Sequence, residues 1–329
     1  MTVAGLGLLI ALLIWIQIAA VISGGRTVAY SLLFAATGFT FAVARLITRR
    51  CRWAVPATVA ASVAGTLLIA RDPLGNYRSP LGYANATGAF CMLGVAAALM
   101  LSVRRSGMLT WVVALPSIVA FAAVAVLDGC RAATAGIVLV GIAGFAGGRD
   151  RATRTAILGG AALVILALVS TTIVGALSLG TSGTSVRERR LIDETLSSAR
   201  VVLWHEALSI VRARPLAGVG PGRFNEVSPT AHGDTDLGWA HNEFLQMAAE
   251  TGIVGLALAA ALTVWVFVRL WRGERDAGTA VAALALTALL SQAAIDYVLH
   301  FPPVTLAAGA LAAAGAPPRA RGPGSPELV

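Results

Sequence analysis

The amino-acid sequence predicts an all-α polytopic membrane protein of about ten transmembrane helices, with one large, partly helical extracytoplasmic loop. Three observations carry that prediction. Hydrophobic residues make up 57% of the 329 positions and charged residues only 12%, with mean hydropathy +0.80. Soluble domains carry about 25% charged residues, so a chain this poor in charge cannot cover a globule with polar surface and takes lipid as part of its solvent. The apolar residues gather in ten stretches, near 3–23, 28–47, 53–70, 85–103, 108–127, 133–147, 155–177, 252–270, 278–298 and 301–316. Only residues 178–251 break this pattern with a soluble-like composition.

Most of the stretches approach the ~20 residues that cross a ~30 Å hydrocarbon core. The sixth and tenth are short. Backbone groups inside lipid must be satisfied within each crossing, which predicts helices, and the alternating pattern of a barrel is absent. The first stretch begins Met1-Thr2-Val3 without a positive charge. Its apolar run is long for a cleaved signal, so it reads as a retained helix. Residues 1–177 then hold about seven helices and residues 252–316 about three. The Pro/Gly-rich tail 317–329 reads as disordered.

Orientation follows from the basic residues. All 25 are Arg. With a cytoplasmic N-terminus and ten crossings, inner loops hold 14 of them and short outer loops hold four: Arg26, Arg71, Arg78 and Arg131. Long loops do not count in this rule, and the bias puts both termini in the cytoplasm of a multi-pass inner-membrane protein.

The long loop has its own punctuation. Ser178–Ser185 reads as flexible, and Val186–Arg214 as helix stopped by Pro215. Gly218-Val219-Gly220-Pro221-Gly222 is a turn-rich connector. It lacks the Lys-Ser/Thr of a phosphate loop and follows a helix, not a strand. A polar stretch with His232, Asp234 and Asp236 comes next, then a short helix, Ala240–Glu250, feeding the eighth crossing at Gly252.

Several function classes drop out. The Arg residues are scattered between apolar runs, which argues against nucleic acid as a partner. Cys51, Cys91 and Cys130 are far apart with no CxxC, and the four His lack the i,i+4 spacing of a zinc helix. No metal or cofactor is predicted.

The strongest local patterns are Arg200-Val201-Val202-Leu203-Trp204, Pro215-Leu216-Ala217-Gly218-Val219-Gly220-Pro221-Gly222, and His241-Asn242-Glu243-Phe244-Leu245-Gln246 ending in Glu250-Thr251-Gly252-Ile253-Val254-Gly255. In this order they resemble the O-antigen ligase family, which includes O-antigen polymerases and bacterial O-oligosaccharyltransferases. Gly82-Tyr83-Ala84-Asn85 is similar to the family's Gly/Asn element opening a helix. Cys130-Arg131-Ala132 is similar to its Ser-Arg-Gly element, with Cys in place of Ser. The resemblance spans about residues 82–300. It implies a C-type glycosyltransferase fold and transfer of a glycan from an undecaprenyl-diphosphate carrier to an acceptor hydroxyl, without metal or nucleotide sugar. The acceptor is a glycan, a lipid or a protein. Before residue 82 the chain has fewer crossings than many members show, which leaves the completeness of its N-terminus open.

The residue chemistry runs alongside. A departing diphosphate needs fixed cations, and Arg offers planar, permanently charged donor pairs. Arg131, Arg200 and Arg223 are the candidates for diphosphate binding, each with the alternative of a solvated or headgroup-contacting side chain. The acceptor hydroxyl must lose a proton, and His titrates nearest neutrality. His241 is the catalytic candidate, as base or as substrate ligand; the alternative is a His that lines a helix start. Glu250 lies nine residues on, on the opposite side of a continuous helix, and reads as an anchor, paired with an Arg. Asp296 and His300 lie four apart near the end of the ninth crossing, on one helix face; Asp296 can pair with an outer Arg. Asn85 is a further supporting candidate through its helix-opening element. Two other functions stay open: a transporter or flippase of a polar solute or lipid-linked saccharide, and an inactive assembly partner.

Overall fold

The computed structural model describes residues 2–69, 79–105, 107–146, 150–177, 198–233, 237–274 and 276–316. The expected flexible stretch 178–185, the first part of the expected loop helix up to residue 197, Asp234, Asp236 and the tail 317–329 lie outside these residues.

Every apolar stretch forms a helix. In chain order these are α1 (Val3–Ser23), α2 (Thr27–Arg50), α3 (Ala54–Ile69), α4 (Ala84–Arg104), α5 (Met108–Leu127), α6 (Arg131–Ala146) and α7 (Asp150–Leu177). The polar segment contributes α8 (Ser198–Ala213), α9 (Phe224–Val227) and α10 (Pro229–Gly233). The chain then continues through α11 (Glu243–Arg272), α12 (Ala277–Ala293), a 3-10 turn (Val298–His300) and α13 (Pro302–Gly315). Six helices are long and apolar enough to cross a membrane: α1, α2, α4, α5, α7 and α11. The apolar parts of α3, α6, α12 and α13 are shorter, at 10–17 residues. The protein is a multi-pass membrane protein.

The ninth stretch departs from its expected bounds. Its helix ends at Ala293, and Ile295 N–H bonds back to Gln292 O in a tight turn. Asp296 and His300 therefore do not share a helix face.

The chain divides into two compact units. The second comprises Thr40–Gly160, Trp265–Leu286 and Leu306–Val329. Its centre is α4, 89% buried where the other long helices reach at most 28%. It packs against α3, α5 and α6. Small residues make this possible, as in other membrane bundles. A Cβ at Gly88 would lie 2.6 Å from Cys130 Cβ, and one at Gly94 2.8 Å from the Phe121 ring. Three Arg residues of the expected inner loops are tied down here. Arg52 pairs with Glu274 at 2.7 Å, Arg104 with Asp276 at 3.5 Å, and Arg105 lies over the Trp53 ring.

The first unit comprises Met1–Phe39, Ala161–Val264 and Thr287–Thr305. In α1, Leu9, Leu12, Ile16 and Ala19 form a buried stripe, while Leu6, Ile10, Ile14 and Ile18 stay exposed. A helix apolar on both faces suits lipid on one side and protein on the other. The polar segment has a core of its own, with Leu203, Trp204, Phe224, Ala240 and Leu245 buried together and Ile295 packed against them. Trp204 and Phe224 are fully buried, each stabilising by roughly 3 kcal/mol on area transfer.

The Gly-rich connector is pinned to a break in α11. Gly252 has φ +71° and ψ −178°, so the helix stops and restarts there. Four of the freed groups find partners outside the helix. Ala249 O and Glu250 O accept from Val219 N–H and Gly220 N–H, Thr251 O accepts from Trp15 Nε1–H, and Ile253 N–H donates to Pro215 O. A break in an apolar helix is tolerated on this condition. It also requires glycine, since a Cβ at Gly252 would sit 1.9 Å from Leu216 O.

Candidate functional site

The motif His241–Gly255 builds its site from the helix start. Asn242 caps α11: its Oδ1 accepts from Phe244 N–H at 3.1 Å and Leu245 N–H at 3.0 Å. This is the usual work of Asn at that position. Its Nδ2 donates to Thr171 Oγ1 on α7. Gln246 accepts from Ala240 N–H at 2.6 Å and donates to Glu250 Oε1 at 2.9 Å. Glu250, fully buried, also accepts from Gly222 N–H at 2.8 Å and Phe224 N–H at 3.0 Å. A buried carboxylate needs such partners. With the Tyr30 hydroxyl, they are backbone and amide groups rather than the Arg expected from the sequence. Through them Glu250 holds the Gly-rich connector against α11.

His241 precedes the cap and has φ +48°, the only positive φ outside glycine among the described residues. A left-handed backbone costs an L-residue roughly 1–2 kcal/mol. Such strain persists where surrounding contacts enforce it, often at functional positions. Here Trp204 Nε1–H donates to His241 O at 3.2 Å. The imidazole is buried. Its Nδ1 lies 3.3 Å from Asp296 Oδ1, off the line of a hydrogen bond, and its Nε2 has no hydrogen-bond partner among the described residues. The Tyr297 ring meets it edge-on, with centroids 4.8 Å apart.

Asp296 joins the two motifs. It is 2% exposed, and its second oxygen lies 3.4 Å from Arg200 Nη2. Arg200 Nη1 also donates to Ile295 O at 3.2 Å. Tyr297 N–H donates to Asp296 Oδ1 at 2.8 Å. Asp296 thus faces both Arg200, which donates to it, and the His241 imidazole, 3.3 Å away without a hydrogen bond. A carboxylate beside an imidazole can orient it and balance the charge it gains on taking a proton.

A second His–carboxylate pair stands beside it. Glu243 accepts from the backbone N–H groups of Leu299 and His300, and lies 2.9 Å from His300 Nδ1. Burial pushes the His300 imidazole down, but the charge of Glu243 and its hydrogen bond, with the charge of Glu250, hold it above its ordinary value.

The other candidates are placed as follows. Arg223 donates from Nε to Glu226 at 2.7 Å and from Nη1 to Ser23 O, so two of its donors clamp the connector. Glu206 accepts from Ser228, Thr230 N–H and Thr230 Oγ1, fixing α9 and α10. Asn85 and Arg131 belong to the second unit. Asn85 Nδ2 donates to Tyr83 Oη at 3.1 Å, and exposed Arg131 is the first residue of α6. Tyr297 and the carbonyl anchor from Trp204 were not foreseen. The Arg-x-x-x-Trp spacing, one helical turn, was the available signal for the second.

Residues 116–260 match a family model described as O-antigen ligase. That match supports the O-antigen ligase family. The match includes Arg131, Arg200, Arg223, His241 and Glu250; Asn85 and Asp296 fall outside it. A comparison with curated proteins returns no match. The O-antigen ligase domain marks the chain as a glycan-processing membrane protein of the ligase or polymerase type.

Proposed function

We propose that the protein is a membrane glycosyltransferase that moves a glycan from an undecaprenyl-diphosphate carrier onto an acceptor hydroxyl at the outer face of the cytoplasmic membrane. One observation carries the reading: a buried, backbone-strained His241 with one ring nitrogen 3.3 Å from Asp296 and neither ring nitrogen hydrogen-bonded among the described residues. The family match supports it.

In this reading the acceptor oxygen attacks the anomeric carbon as His241 Nε2 takes its proton. The bond between that carbon and the diphosphate oxygen breaks, and the diphosphate leaves with the electron pair. Asp296 orients the imidazole and balances the charge it gains. Arg200 has five N–H donors, more than its contacts to Ile295 O and Asp296 use, and so can also face an anion. Arg131 is a further candidate for the diphosphate, and Arg223 a weaker one, because Glu226 and Ser23 engage it. The reaction as written uses no metal. All ten helices cross in this reading, with both termini cytoplasmic and residues 178–251 outside. The acceptor class, and with it ligation against polymerisation, stays open.

The test is a lipid-linked and polymeric glycan profile of a deletion strain complemented with wild type, His241→Ala or Arg200→Ala. Wild type should restore the transferred glycan, and the variants should accumulate the lipid-linked donor. Full restoration by both variants at normal expression would sink the proposal.

A further inference from the structure

Beside the dyad lies an aromatic group that the proposed chemistry does not use. Trp239 and Tyr297 are nearly parallel, with centroids 6.0 Å apart and planes 18° apart. Both are half-buried rather than enclosed. Tyr297 meets the His241 ring, and Trp239 lies two residues before His241 with its ring 4.1 Å from that of His300. Phe301 extends the group from Tyr297 at 5.9 Å. Aromatic residues at a membrane boundary often do no more than meet lipid headgroups. This group differs in its company: it is continuous in the chain with Asp296 and in ring contact with the His241 imidazole.

We infer that Trp239 and Tyr297 form a stacking platform for a pyranose ring next to His241. The inference rests on the glycosyltransferase reading above. The negative face of an aromatic ring complements the partly positive C–H face of a sugar, and the indole N–H can meet a hydroxyl at its rim. A ring seated on Tyr297 lies within reach of His241, where a hydroxyl must give up its proton or an anomeric carbon must be attacked. The sugar belongs to the acceptor or to the carrier-linked donor; the chemistry is shared.

The experiment uses full-length protein in nanodiscs, with lipid-diphosphate-linked glycan and acceptor purified from a deletion strain. Trp239→Leu and Tyr297→Leu should raise KM for one sugar substrate about five- to tenfold with kcat within about twofold, the range expected for loss of one aromatic contact. Trp239→Phe and Tyr297→Phe should restore KM. The KM that rises identifies the sugar's source. A binding readout independent of turnover is intrinsic fluorescence: oligosaccharide released from the donor should quench wild type but leave Trp239→Phe unchanged. Unchanged KM for both substrates, a fall in kcat alone, failure of the Phe variants to rescue, or quenching that persists in Trp239→Phe overturns the platform. If the Leu variants do not purify as folded protein, the Phe variant's fluorescence decides. His241→Ala is measured in parallel. An inactive His241→Ala beside unaffected platform variants refutes the platform alone; a fully active one refutes the underlying reaction.

Discussion

Replacing Gly252 with alanine should both destabilise the protein and disable it. The backbone there has φ +71°, and the new Cβ would approach Leu216 O to 1.9 Å. Leu216 cannot yield alone, because the connector is held by bonds from Val219 N–H at 2.9 Å, Gly220 N–H at 3.0 Å and Ile253 N–H at 2.8 Å. Left-handed strain of roughly 1–2 kcal/mol and loss of three bonds worth about 1 kcal/mol each give a cost of roughly 4–5 kcal/mol. For a chain of this size that lowers Tm on the order of 10 °C. Gly65→Ala is the control: nothing lies within 4 Å of its added Cβ, so the helix should gain slightly. Thermal unfolding of both variants in detergent or nanodiscs, followed by tryptophan fluorescence, makes the comparison. Glycan transfer should fall in Gly252→Ala as well, since Glu250 and Gln246 tie the connector to the residue before His241. A Tm within about 2 °C of wild type with full transfer would refute the reasoning, because the stated strain and lost bonds exceed that shift.

Three further outcomes are expected. Asp296→Asn removes the carboxylate that faces both His241 and Arg200; kcat should fall about 10²–10⁴-fold, the range assigned to general-base catalysis, in a steady-state transfer assay. Trp204→Phe removes the donor to His241 O while keeping an aromatic core residue; kcat should fall about tenfold, matching one hydrogen bond, with donor and acceptor KM nearly unchanged. His300 has a raised folded-state pKa, so its pairing with Glu243 stabilises the fold fully below about pH 6.5, the unfolded value, and loses that contribution as pH rises through the folded value. Tm should therefore drop as pH rises beyond about 6.5 in wild type and less so in His300→Gln.

Much of this was legible in the sequence because hydropathy and motif spacing report local physics. All ten apolar stretches became helices, nine of them near their expected bounds, and the break in α11 falls at Gly252, where the eighth crossing was expected to begin. The order Arg200, Trp204, connector, His241 also pointed to one site. Three features were hidden. The end of α12 at Ala293 carries no Gly or Pro, and apolar composition runs on to Val298, so hydropathy could not see the turn. Glu250 satisfies its charge with backbone N–H groups from a distant connector, partners that side-chain patterning does not reveal. The approach of Asp296 to His241 links positions 55 residues apart and depends on tertiary packing alone.

Helix α8 settles how firmly that approach is set. Arg200 and Trp204 stand one turn apart on the same face, one gripping Asp296 and the other the carbonyl of His241. A single rigid turn, about 6 Å long, thus serves as the gauge block between imidazole and carboxylate. The distance between His241 and Asp296 is then cut into the spacing of a motif rather than left to the slide of lipid-bathed helices. One inserted residue between Arg200 and Trp204 would turn the two grips by about 100° relative to each other and pull the dyad open without touching either member.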